Sequence, residues 1–285
     1  MSTDRAQEFL KDLSRLERDL PCSPALLQKI STAVRQDSSS SLEEISALIV
    51  KDQALSARVL ALANSSFYGL QGRISSVSRA VSVLGLREIR NLLYIILLRH
   101  FAARIPSGLI DLADYLEHNF RVGLFVKHLS RKTGIGEYED LFTAGLLHDI
   151  GKLLTALHRP GDWRQILRLH SSSWPFATTE MRYWGVDHGM IGARVLSSWY
   201  IPSELTGPIH WHHQIQSAPV YKEQTALLAA ADELEHLTRK EGFAPSPGLE
   251  DTLSWFEIDL EAICAELQEK FPISQDNPFF SFPDA

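Results

Sequence analysis

A chain of 285 residues, 45% hydrophobic and 22% charged, can bury one large core or two smaller ones and has a globular rather than a disordered composition. Its net charge of −7 argues against broad electrostatic attraction to nucleic acid or to an acidic membrane. Cys22 and Cys264 form no metal-binding spacing and read as reduced structural residues, as in a cytoplasmic protein.

The N-terminus lacks the apolar core of a signal peptide. Residues 5–18 predict a polar amphipathic helix, broken by Leu20-Pro21 and Pro24, and a second helix is expected over about 25–35. The serine run 38–41 reads as a loop whose last member, Ser41, forms a capping box with Glu44. Ile45, Leu48, Ile49, Leu55, Val59, Leu60 and Leu62 supply apolar stripes for the helices that follow. Asn64-Ser65-Ser66-Phe67-Tyr68-Gly69 carries helix-stopping chemistry. Ser75-Ser76 opens the next helix, Gly85 reads as its cap, and a further helix runs from Arg87 to about Arg104. The apolar run Leu92 to Leu98 falls far short of the roughly 20 residues that span a bilayer and reads as buried. Arg87, Arg90, Arg99 and Arg104 read as its solvated rim, without the interleaved aromatics of a nucleic-acid groove.

Ile105-Pro106-Ser107-Gly108 divides the chain into an N-terminal helical subdomain, residues 1–106, and a C-terminal one, residues 107–285. In the second, helices are expected over about 110–133, 138–157, 162–171, 175–184, 188–200, 203–213 and 222–240. A loop over 242–248 and a last helix, starting near Leu249 or Leu260 and ending at Lys270, precede a Pro/Phe-rich tail. No alternating strand pattern is visible, so the fold class is all-α.

The chemistry concentrates in this second half. His148-Asp149 offers an imidazole nitrogen and a carboxylate oxygen, donors suited to iron, manganese, zinc or nickel rather than calcium. His188, His212-His213 and Asp232 follow in order, and His118 precedes them. Each has a plainer reading. His118 lies on an apolar stripe as a core histidine would, Asp149 and Lys152 could form a surface pair, and His188 could simply begin a helix after the cap Asp187. Asp232 follows a run of small and apolar residues and needs a buried partner, although Glu233 and Glu235 suggest a wet face on the same helix. Taken together, the ordered set points to a metal site built from several helices. Lys152 would then neutralise a phosphate or donate a proton, and His213 could assist proton transfer.

At these residues the chain resembles the HD superfamily and, more closely, its HDOD branch. The branch resemblance rests on Leu20-Pro21, on Asp52-Gln53-Ala54-Leu55, where Gln53 replaces the usual proline, on Leu62-Ala63-Asn64-Ser65-Ser66-Phe67-Tyr68-Gly69, and on Ile74-Ser75-Ser76-Val77 with Leu84-Gly85. It covers about residues 17–213 and weakens towards Asp232. It implies an HD-like helical domain preceded by an N-terminal helical subdomain, in bacterial signal transduction. Many HDOD proteins lack part of the HD metal set, whereas His118, His148, Asp149, His188, His212 or His213, and Asp232 all stand at ligand-like positions here. The resemblance therefore implies a mono- or dinuclear site, with iron or manganese favoured over zinc or nickel. Gln214-Ile215-Gln216 follows His212-His213 where HD-GYP phosphodiesterases carry His-Glu and a Gly-Tyr-Pro loop, which argues against cyclic di-GMP hydrolysis.

Two functions follow as expectations. One is a regulatory module acting through a signalling protein partner, with a nucleotide or metal-sensitive conformation. The other is a metal-dependent phosphohydrolase acting on a nucleotide or other phosphoester. Asn64, Ser65 and Tyr68 read either as ligand-binding residues or as a helix cap packed at the subdomain junction.

Overall fold

Each regular element of the computed structural model is a helix, over described residues 20, 22–36, 40–65, 73–170, 176–239 and 243–272. The helix expected over 5–18 and the Pro/Phe-rich tail fall outside them.

In the N-terminal half, α1 (Pro24–Gln36), α2 (Ser40–Val50) and α3 (Gln53–Ala63) pack on the long α4 (Val77–Ala102). Helix α2 begins inside the serine run expected to be a loop, and the side chain of Ser41 lies outside the described residues. Asp52 caps α3 by accepting from the Leu55 amide at 3.0 Å. Asn64 closes it. Its amide donates to the Leu60 and Ile74 carbonyls at 2.7 and 2.8 Å, while its carbonyl accepts from the Ile74 amide at 2.8 Å. One side chain thus caps α3 and ties it to the approach to α4, which is the capping alternative for this signature residue. Tyr68 lies outside the described residues. Gly85, expected as a cap between two helices, stands at the non-helical break between the two helical stretches of α4, at φ 79° and ψ 167°. Side chains with a Cβ rarely adopt that positive φ. Beyond the break, Leu92 to Leu98 are buried, as their unbroken hydrophobicity predicts.

The C-terminal half begins with α5 (Leu112–Thr133), α6 (Tyr138–Leu147), α7 (Ile150–His158), α8 (Pro160–Leu169) and α9 (Phe176–Trp184). It continues with α10 (His188–Ser198), α11 (Ser203–Trp211), a 3₁₀ turn over Ile215–Ser217, α12 (Lys222–Arg239), α13 (Pro247–Trp255) and α14 (Leu260–Lys270). Helix α5 lies between α6 and α12, and α10 lies between α7 and α11. The last helix runs from Leu260 to Lys270, the second of the two starts the sequence allows, and Leu249 belongs to a separate helix, α13. The helix expected over 138–157 is two, because the chain turns at His148-Asp149 between α6 and α7. That turn projects both side chains inward from one corner.

One apolar core runs through both halves, from Leu26 and Ile30 in α1 through α4 to Leu267 in α14. A polar link crosses it. Arg90 in α4, expected on a solvated rim, is buried and donates to Asp140 Oδ1 and Thr143 Oγ1 of α6, both at 2.8 Å. Thr143 in turn donates to Asn91 Oδ1 at 2.7 Å. Acceptors from α6 replace water at both terminal nitrogens of the guanidinium, while Nε is buried without a partner. No helix among the described residues is long and apolar enough to cross a membrane.

Candidate metal centre

The residues singled out in the sequence meet in one place. His118 comes from the middle of α5, His148 and Asp149 from the α6–α7 turn, and His188 from the first position of α10. His212 and His213 follow α11, and Asp232 comes from α12. Close packing of α7 on α10 depends on Gly151, where a Cβ would stand 2.0 Å from the His188 carbonyl oxygen. Asp187 caps α10 as expected, accepting from the Met190 amide at 2.9 Å, and so fixes where His188 begins.

Asp149 stands at the middle, 2% exposed. Its Oδ1 lies 2.9 Å from His188 Nε2 and 3.4 Å from His148 Nε2. Its Oδ2 lies 2.6 Å from Lys152 Nζ and 3.6 Å from His118 Nε2. Asp232 Oδ1 approaches His118 Nε2 at 3.2 Å and His148 Nε2 at 3.6 Å. On the other side, His213 Nε2 is 2.8 Å from His188 Nε2. His212 belongs to both sides, since its ligand atom lies within 4.8 Å of those of His148 and Asp232 and of those of His188 and His213. The Asp149–Lys152 contact is therefore not the surface pair that the sequence allowed.

The outward ring nitrogens explain the inward ones. His118 Nδ1 donates to Glu235 at 2.7 Å, and His188 Nδ1 to Glu180 at 2.5 Å. His148 Nδ1 and His212 Nδ1 donate to the backbone carbonyls of Gly145 and Ile209, both at 2.7 Å. With the proton fixed on Nδ1, Nε2 carries the free lone pair, the arrangement by which proteins orient imidazole towards metal. The Nε2 atoms of His118, His148 and His212 are buried without a hydrogen-bond partner. Leaving such atoms unpaired costs about 1–3 kcal/mol each. A divalent cation is the partner that matches several lone pairs and two carboxylates at once, so these residues fit a metal ion.

The electrostatics agree. Burial pushes the Asp149 carboxyl up, but His148, Lys152 and His188 outweigh it and hold the group well below the usual carboxylate range. Asp232 is held down in the same way, against burial, by His118 and His148. Burial pulls His118 down, but the neighbouring carboxylates of Asp232 and Glu235 raise it to about 9. His188 is also raised to about 9, with Glu180 overcoming burial. His212 goes the other way, to about 3, through burial and then the neighbouring imidazoles of His148 and His188. Without an ion, protons on His118 and His188 balance the carboxylates. Burial also opposes the charge of Lys152, yet Asp149 raises its pKa, so it is a fixed cation rather than a proton donor near neutrality.

Three participants were not singled out from the sequence. Glu235, assigned there to a wet face, is fully buried, and Arg121 Nε donates to it at 3.2 Å. Its three-residue spacing from Asp232 was the available signal. Glu180 lies in Thr178-Thr179-Glu180-Met181, which carries no pattern to mark it. His236 stacks on His118 at 4.9 Å between ring centroids, four residues after Asp232 on the same helix.

Comparison with known proteins shows the family and the fold. The HDOD domain matches residues 20–215. An HDOD domain protein of unknown function from Geobacter sulfurreducens superposes with a TM-score of 0.71 at 25% identity, over 93% of this chain and 95% of that one. A protein from Shewanella amazonensis SB2B, provisionally named a phosphohydrolase, does so with a TM-score of 0.69 at 26% identity, over 92% and 94%. An uncharacterized protein of Treponema pallidum is 29% identical over 75% of this chain, which spans 42% of that relative's length.

Proposed function

The chain belongs to the HDOD family, and from that premise we propose that it is a bacterial signal-transduction protein with a divalent-metal centre that hydrolyses a phosphoester. The observation that carries this reading is the convergence of imidazole nitrogens, three of them buried and unpartnered, around Asp149 and Asp232. His118, His148, Asp149 and Asp232 would hold one ion. His188 and His212 would hold a second, with Asp149 facing both and His213 beside it. Imidazole and carboxylate donors favour iron or manganese, and zinc or nickel would also be accepted. A bound divalent ion lowers the pKa of water and orients phosphate oxygens.

The protein's own groups supply the rest. Lys152 Nζ, held charged at 2.6 Å from Asp149, would neutralise the anionic ester. His213, exposed at the rim and 2.8 Å from His188, would accept or return a proton near the leaving group. The substrate class is a nucleotide or another phosphoester, and a cytoplasmic signalling protein is the partner.

The test is turnover of bis(p-nitrophenyl) phosphate and p-nitrophenyl phosphate by iron- or manganese-loaded protein, beside Asp149→Ala and Lys152→Ala. Hydrolysis that both variants lose while remaining folded supports the reading. No turnover by fully metal-loaded protein would contradict it.

A purely regulatory reading is favoured by the buried link from Arg90 and Asn91 to Thr143, because α6 leads directly into His148-Asp149. Under that reading metal occupancy sets the packing of the two halves, and metal-loaded protein that turns over no phosphoester, beside an Asp149→Ala protein that folds but loses its signalling output, would support it over hydrolysis.

A further inference from the structure

A cavity of about 710 Å³ opens beside α10 and α11 and includes none of the metal-site residues in its lining. That size lies within the range of small-molecule pockets, about 300–1,000 Å³. Its walls are mainly apolar, with Val186, Met190 and Val220 beside the aromatic side chains of Trp211 and Tyr221. Tyr221 takes a left-handed backbone, φ 56°, and its hydroxyl lies 3.3 Å from Ser203 Oγ. A bulky residue at positive φ is strained, and such strain persists only where its surroundings hold it. Tyr221 is thus a built wall, not an accidental one.

The charge in the lining is one-sided. Arg194 is exposed and makes no ion pair with a described residue, and no carboxylate lines the cavity. His210, the other basic group in the lining, is held below its usual range by burial. A lone guanidinium in a chain of net charge −7 selects an anion, and its planar fork suits a carboxylate, phosphate or sulfonate. Trp211 and Tyr221 suit a flat ring beside that anion.

We propose that this cavity is a second binding site, separate from the metal centre, for a small organic anion carrying a flat apolar ring. Its position gives it a consequence. Helix α10 starts at His188 and α11 leads into His212-His213, so an occupant touching both helices bears on the spacing of those imidazoles.

The test is a fluorescence titration of the metal-loaded protein with 8-anilinonaphthalene-1-sulfonate, read for one saturable site. Arg194→Ala and Val220→Asp are both substitutions of exposed residues. Each is expected to weaken binding about tenfold or more, the size of a lost charge-assisted contact. Arg194→Lys should weaken it less, and Asp149→Ala, which acts only through the coupling between the two sites, should change it less than Arg194→Ala does. Absence of a saturable site up to millimolar probe, or binding indifferent to both cavity variants, would overturn the proposal. So would binding abolished by Asp149→Ala and untouched by Arg194→Ala, which would put the anion at the metal centre instead.

Discussion

Glu235 lies 2.7 Å from His118 Nδ1, and the opposite nitrogen of that ring points at Asp149 and Asp232. The carboxylate fixes the tautomer and the ring plane, so it governs metal affinity without touching the ion. Glu235→Gln is expected to weaken metal binding about 10- to 100-fold, the usual cost of losing such a partner. Competition against a chelator of known affinity measures it. An unchanged affinity would remove Glu235 from the site.

Glu180 plays the same part for His188 on the other side of Asp149. Glu180→Gln is expected to lower occupancy of the His188–His212 group while sparing the His118–His148–Asp232 group. Elemental analysis should then fall from two equivalents towards one. Equal loss from both groups would show that the ions do not divide this way.

The raised histidines set a pH dependence. His118 and His188, at about 9 in the metal-free fold, must lose protons to bind metal. Metal uptake should release protons, and apparent affinity should rise with pH from 6 to about 9. In the metal-free protein the sign is opposite. A folded pKa above the unfolded value of about 6.5 gives stability that is full below 6.5 and lost as pH rises through 9. The apparent Tm without metal should therefore fall across that window, relative to a His118→Gln, His188→Gln protein.

Gly151 admits no side chain, since a Cβ would lie 2.0 Å from the His188 carbonyl. Gly151→Ala should cost at least the ~1–3 kcal/mol of an overpacked contact and shift His188 away from Asp149. Thermal melting and metal content should fall together. A variant as stable and as metal-loaded as the parent would show that α7 and α10 can separate freely.

Much of this was legible in the sequence. Helical periodicity marked most helices of the C-terminal half, and Asp187 declared itself as a cap. The ligands were visible because His and Asp are conspicuous among apolar neighbours. What was hidden depended on three-dimensional contact. The break at His148-Asp149 lies between two apolar stretches whose periodicity reads as one helix, Glu180 has no local pattern, and Glu235 and Arg90 resemble surface charges until Arg121, His118 and α6 surround them.

The central claim is that these side chains hold a metal. It is tested most directly by elemental mass spectrometry of protein purified without an affinity tag or chelator, beside Asp149→Ala. The account predicts one or two equivalents of iron or manganese, lost in the variant while its circular dichroism is unchanged. Protein that stays metal-free after anaerobic incubation with either ion would contradict it.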